Sequence, residues 1–211
     1  IRQKSADLRR IVSTALERNR KKYQLQQKQL ADTEKREKYK VYGELLHTYG
    51  YGLAEGAKEL VATNYYNGEE VTIPLDETLN AMENAQKYFD RYGKLKRTYE
   101  ALTDLIQETK AEIDHLESIS TSLDIALSED DLTQIKEELT DYGYIKRKSS
   151  DRKAKIKSKP LHYLSSDGYH IYVGKNNYQN EELTFKFATG NDWWFHAKGM
   201  PGSHVIVKAG N

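Results

Sequence analysis

The 211-residue sequence has no cysteine, which excludes a disulfide framework and any thiolate metal site and is compatible with a reducing compartment. It has no apolar run near the ~20 residues that a bilayer-spanning helix needs. It opens in a charged helical pattern instead of the basic-then-apolar stretch of a secretory signal. P-loop, dinucleotide-fingerprint, HExxH and GxSxG patterns are all missing, so no enzymatic constellation and no cofactor is implied. The chain starts at Ile1 with no initiator Met and stops just after the apolar run VIVK. The expectation is therefore a piece of a longer protein. Apolar residues are scarce too: 37% hydrophobic against 31% charged, with a mean hydropathy of −0.85. That balance fits long helices with thin seams better than one compact globule.

Charge is present in quantity but is segregated. Residues 1–40 hold 13 Lys/Arg against 5 Asp/Glu, and residues 100–145 hold 2 against 13. Residues 146–160 hold 8 against 1, so a net charge of +1 conceals blocks of +8, −11 and +7.

Residues 2–49 read as one long helix. Its seam (Leu8, Val12, Ala15, Asn19, Tyr23, Gln26, Leu30, Thr33, Glu37, Val41) is apolar at the ends and polar in the middle. A hairpin at about 60–74 follows, turned at Asn67-Gly68. Asp76 is the expected N-cap of the next helix. That helix carries a slip-free alternation of four and three through Tyr88, Tyr92, Leu95, Tyr99, Leu102, Ile106, Thr109, Ile113, Leu116, Ser120, Leu123 and Leu127. Such spacing specifies a coiled-coil seam, with the tyrosines in it as core. The simplest partner is the first helix folded back antiparallel, its basic half beside the acidic half. Ser128–Asp131 forms a capping box that opens a short third helix at about 129–141, with Leu132, Ile135 and Leu139 inward. Residues 1–145 are thus a coiled-coil domain. Residues 146–160 are a self-repelling basic linker with little to bury.

From residue 161 the pattern turns to β. A hairpin around Ser166-Asp167-Gly168 leads into a short helix at about 178–189, then into Asn191–Lys208, NDWWFHAKGMPGSHVIVK. This last stretch holds both tryptophans and two of the six histidines, as strand, turn and strand. Alternation sends Trp193 and Phe195 to one face, read as core against the helix, and Trp194 and His196 to the other. Asp192, His196 and His204 flank a turn instead of converging, so no metal is expected. Ser203 and His204 are adjacent on a strand and point apart, so no nucleophile–base pair is expected either.

The chemistry present suits RNA. Candidate contacts are Arg18, Arg20, Lys21 and Lys22, clustered where the seam is weakest, and Lys146, Arg147 and Lys148 in the linker. Trp194, His196, Lys198, Ser203 and His204 join them, as a stacking ring with polar groups at a turn. The bland alternatives are a solvated helix face paired with the acidic helix, a linker kept soluble by its charge, and a β-core with a polar rim.

The same residues resemble a known family. DWWFHAKGMPGSHVIVK, preceded by GKNNYQNEELTFKFA, resembles the RNA-binding R module of the NFACT family. Asp192, Trp194, His196, Lys198, Pro201, Gly202, Ser203, His204 and Val205 fill its D-x-W-x-H-x-(K/R)-x-x-P-G-S-H-V run, and Trp193 stands where an aliphatic residue is usual. Asn84–Lys94 is similar to the family's second coiled-coil helix, N-A-Q-x-Y-F-x-x-Y-x-K. The resemblance implies a mostly α, α+β fold: a long antiparallel two-helix coiled coil with a β-hairpin tip, then residues 161–211 as the first part of the R module. It implies a cytoplasmic, ribosome-associated factor and not an enzyme. Its partners would be tRNA and the large ribosomal subunit, rRNA and ribosomal proteins included, with no membrane. The family's bacterial members act on large subunits blocked by peptidyl-tRNA and recruit tRNA for mRNA-independent alanine tailing. An older label for those members implies fibronectin as a partner and a surface adhesin as the alternative; a structural coiled-coil scaffold is the third reading.

Overall fold

The computed structural model describes residues 1–210 as mostly helical, with two small antiparallel sheets. The elements are α1 (Arg2–Asp32), α2 (Arg36–Tyr49), β1 (Glu59–Thr63), β2 (Glu70–Pro74), α3 (Ala81–Ile125), α4 (Glu129–Asp141), β3 (Leu161–Leu164), β4 (His170–Val173), α5 (Asn177–Glu182), β5 (Trp193–Phe195) and β6 (Val205–Val207). A 3₁₀ turn at Thr33–Lys35 joins α1 to α2, so the expected single helix carries one tightened turn. No helix among the described residues is long and apolar enough to cross a membrane. The chain divides into two compact units, Tyr23–Glu108 and residues 1–22 with 109 onward.

In the Tyr23–Glu108 unit, Leu45, Leu46, Ile73, Ala85 and Tyr88 form the core between α2, the hairpin and the start of α3. The Tyr88 ring meets Tyr42 edge-on at 5.3 Å, and its hydroxyl donates to the Pro74 carbonyl. Gly43 lets the helices approach, because a Cβ there would lie 2.7 Å from the Phe89 ring. Three expectations need correction here. The hairpin closes through six residues, not a two-residue Asn67-Gly68 turn. The Asn64 and Asn67 side chains accept the backbone N–H of Tyr66 and Glu69, and the Tyr65 and Tyr66 hydroxyls both donate to Glu44 at 2.8 Å. Asp76 does not cap α3: its carboxylate takes the Thr78 N–H and hydroxyl, and Asn80 with Glu83 forms the reciprocal cap. Tyr99 is exposed on its seam, with the Arg36 guanidinium 4.1 Å from its ring centre. The ring expected in the core of the seam instead presents its face to a basic side chain.

In the other unit, Leu8, Val12, Ala15 and Leu16 of α1 are buried, as are Ile113, Leu116, Ile119 and Leu123 of α3. The two segments run in opposite directions, with Arg9 on Asp124 at 2.7 Å and Arg20 on Glu117 at 3.2 Å. Leu127 falls just beyond α3 and is exposed, ending the seam one step early. The Ser128/Asp131 capping box forms, and α4 buries Leu132, Ile135 and Leu139.

The C-terminal sheet has the order β3-β4-β6-β5, all antiparallel. It does not swing on a free linker. Six consecutive side chains, Lys175–Asn180, each hold a partner, and five of them tie the module to α4 and its surroundings. Lys175 reaches Asp131 at 2.6 Å, and Asn176 donates to Gln134 at 2.7 Å. Asn177 donates to Glu138 and Ser118, Tyr178 to Asp141 at 2.6 Å, and Gln179 to Gln134 and Ser158. Asn180 turns the other way, to the Gly202 carbonyl and the His204 N–H. Within the linker, Ser158 donates to Asp131 at 2.7 Å and Arg147 bonds Glu137 at 2.6 Å. Acidic residues of α4 thus hold both ends of a stretch that charge repulsion alone would extend.

Candidate nucleic-acid interface

Strand register fixes which side chains share a face. Opposed positions place His162, Tyr172, Ile206 and Trp194 in one row across the four strands. Ile206 is fully buried under α5 and the π-helical turn Leu183–Phe187 that follows it, whose Leu183 is buried as well. The opposite face carries Leu161, Ile171, Val173, Val205 and Val207 with Trp193 and Phe195. This inverts the sequence expectation. Trp193 and Phe195 are 65% and 53% exposed, whereas Trp194, at 50%, lies on the helix side. Alternation separates the two sets, but only the landing site of α5 decides which set is covered.

Around Trp194 a polar relay forms. The Trp194 indole N–H donates to Thr184 Oγ1 at 3.0 Å, and Thr184 lies 2.7 Å from His204 Nδ1. Thr184 has one proton and two lone pairs, so its hydroxyl can hold the indole and the imidazole at once and ties the two rings together. Burial, followed by the neighbouring His196, pushes the His204 pKa below its ordinary value, so it is neutral at pH 7. The His196 ring sits 4.8 Å from His204, and its Nδ1 donates to the Ser203 carbonyl at 3.3 Å. A shallow cavity of about 340 Å³ opens here, lined by Trp194, Phe195, His196, Ala197, Ser203 and Val205. Asn180 fixes the β6 entry, and it packs so closely on Gly174 that a Cβ there would overlap its Oδ1.

Asp192 is not part of this relay. Its carboxylate accepts from Lys208 at 2.5 Å and from the N–H groups of Thr189 and Ala209, and those bonds, the lysine's first, hold its pKa far below the usual carboxylate range. Lys198 is exposed in the turn between β5 and β6. The arrangement offers one ring with an open side, two imidazoles and a nearby lysine, which suits a base and its phosphate.

The other candidates lie apart from this cluster. On α1, Arg20 is paired with Glu117 and Lys21 with Glu17, while exposed Arg18 lines a groove of about 570 Å³ with Arg10 and Tyr144. Lys22 is exposed. In the linker, Arg147 is spent on Glu137 and Asp141, whereas Lys146 and Lys148 line a groove of about 610 Å³ with Arg152. Sequence reasoning missed Thr184, which joins the two aromatic groups, and Asn180, which positions them. It also missed His162 and Tyr172, although pairing the 162–165 and 169–173 runs across their turn would have set those two rings opposite each other.

Residues 1–158 match the family model "NFACT N-terminal and middle domains", and residues 159–211 match "NFACT protein RNA binding domain". Relatives named Rqc2 homolog RqcH are 44% identical over 208 residues in Streptococcus pneumoniae strain D39 and 36% identical over 216 residues in Bacillus subtilis. They cover 98% and 99% of this chain, which spans 37% of the length of either relative. A solved structure, the C-terminal part of the fibronectin/fibrinogen-binding protein from Streptococcus suis, superposes with a TM-score of 0.70 at 39% identity, over 99% of this chain and 70% of that one.

Proposed function

Because the chain belongs to the NFACT family, we propose that it is part of a ribosome quality control factor. In this reading the factor binds large subunits stalled with peptidyl-tRNA and recruits tRNA for mRNA-independent alanine tailing. The observation that carries the reading is the near-complete match of the chain to relatives named Rqc2 homolog RqcH. The Trp194–Thr184–His204 relay, inside the region matching an RNA-binding domain, supports it locally. The helical part acts as an antiparallel coiled-coil arm ending in the β1–β2 hairpin, and the C-terminal module contacts tRNA or rRNA. Peptidyl transfer remains the work of the ribosome, so this chain contributes binding surfaces and no bond-making chemistry of its own. The place of action is the cytoplasm, on the ribosome.

Co-sedimentation of the full-length protein with purified stalled large subunits, over a range of salt, tests the proposal. Affinity falls steeply with salt if Lys and Arg displace counterions from phosphates. Charge reversal at Arg18, Arg20, Lys21 and Lys22, or Trp194→Ala, is expected to weaken binding; unchanged binding by either variant removes those residues from the interface. The likeness to the fibronectin/fibrinogen-binding protein from Streptococcus suis favours one second reading, a fibronectin-binding surface protein. Fractionation of cells expressing the full-length protein separates the two: recovery with ribosomes supports the first, and recovery at the cell surface with retention on immobilised fibronectin supports the second.

A further inference from the structure

The row across the helix-covered face is symmetric in its chemistry. To one side of buried Ile206 stands Trp194, with the His204 ring 5.3 Å from it; to the other stand Tyr172 and His162. His162 stacks on Tyr172 with ring centres 4.3 Å apart and planes within 6°, and its Nε2 meets His170 Nδ1 at 2.7 Å. Phe187 meets the Tyr172 ring edge-on at 4.6 Å. The π-helical turn serves both sides, since Thr184 faces the Trp194 cluster and Phe187 faces Tyr172. Single π turns of this kind are frequent at functional sites.

The His162/Tyr172 side opens into a groove of about 680 Å³ whose other wall is the end of the basic linker. Lys157 and Lys159 line it and are exposed, unlike Arg147 and Ser158 of the same linker, which are bonded to α4. Gln179 in the lining donates to Gln134 and Ser158 and accepts the Lys175 N–H, and Glu182 is the acid among the lining residues. What remains available is a set of aromatic faces beside two free ammonium groups. That combination recognises a base by stacking and its phosphate by charge, without reading sequence.

We propose that this groove is a second nucleotide subsite, taking single-stranded RNA on His162, Tyr172 and Phe187 with Lys157 and Lys159 on the phosphates. The proposal rests on the reading of the C-terminal module as an RNA binder. Three inter-strand steps of ~4.8 Å separate the ends of the row, so the two subsites lie ~14 Å apart. One short strand can engage both.

The test uses the full-length protein and a labelled single-stranded RNA of about 12 nucleotides carrying 4-thiouridine, within the site sizes typical of stacking platforms. Photocrosslinks are expected on peptides containing Tyr172 or Phe187 as well as on Trp194. By anisotropy, His162→Leu, at an exposed strand position, is expected to weaken binding about tenfold. Lys157→Ala with Lys159→Ala is expected to lower the salt slope by about 1–2. If Trp194→Ala loses RNA while the groove variants bind normally and no crosslink maps to residues 157–187, the groove proposal falls and the RNA-binding reading stands. If none of the variants loses RNA, both fall. The crosslink map of the unaltered protein decides the matter even if a variant folds poorly.

Discussion

Two contacts in the unit formed by residues 1–22 and 109 onward use polar chemistry in opposite ways. Where α1 meets α3, the charged pairs Arg9–Asp124 and Arg20–Glu117 lie on the surface of an apolar seam, open to solvent. Where α4 meets the C-terminal module, Asp131, Gln134, Glu138, Asn176 and Gln179 are themselves buried and bonded to one another's neighbours. The first contact would survive loss of its charges, because the apolar residues carry it. In the second, each buried polar atom depends on its partner. The large charge blocks of the sequence are therefore a poor guide to where charge matters.

The largest expected effect is at Asp131, which is 2% exposed and holds Lys175, Ser158 and the Leu127 N–H. Burial works against its charge, but those bonds outweigh burial and hold the carboxyl at about 2. Asp131→Ala, which strands Lys175, is expected to destabilise the chain by about 3–5 kcal/mol in chemical denaturation. Its contribution to stability is present above the ordinary carboxylate pKa of 3.8 and is lost as pH falls towards 2. A flat stability profile over that window would show that the Lys175 bond does not hold in solution.

Next in size is Gln134→Ala, which removes the acceptor shared by the Asn176 and Gln179 amides. A loss of about 1–3 kcal/mol is expected, together with faster hydrogen exchange in residues 175–180. Gln26 is the counter-case. It is buried, and its Oε1 has no partner among the described residues. Gln26→Leu is expected to stabilise by about 1 kcal/mol; a fall in melting temperature would point to a polar contact made by that oxygen. The smallest effect belongs to the exposed pair. Glu117→Gln should change stability by less than about 0.5 kcal/mol, and a larger loss would mean that the two contacts differ less than their burial suggests.

How much of this could be read from residue order follows from what has a period. The long helix α3 follows from a sustained four-and-three spacing and the Ser128–Asp131 cap has a fixed offset, so both were visible. The start of α3 was misplaced because Asp76 and Asn80 are both cap-type residues, and only the third dimension shows that Thr78 occupies Asp76. The covered face of the C-terminal sheet was inverted because a two-residue period separates faces without ranking them. The α4 contact was invisible because Asn, Gln and Ser side chains pairing across distant segments follow no period. At the candidate site, Trp194, His196, Ser203 and His204 were found together, whereas Thr184 was hidden inside an unremarkable helical run.

Lys175–Asn180 has one more consequence, for how the chain tolerates changes of length. All six side chains are engaged, five towards α3, α4 and the linker and one towards β6. An inserted or deleted residue would rotate everything after it by about 100° of helical turn, releasing the seat of the module and the entry of β6 together. The exposed Lys198–Met200 turn meets no such demand. Homologous chains should therefore vary in length at that turn and keep the 175–180 segment at constant length.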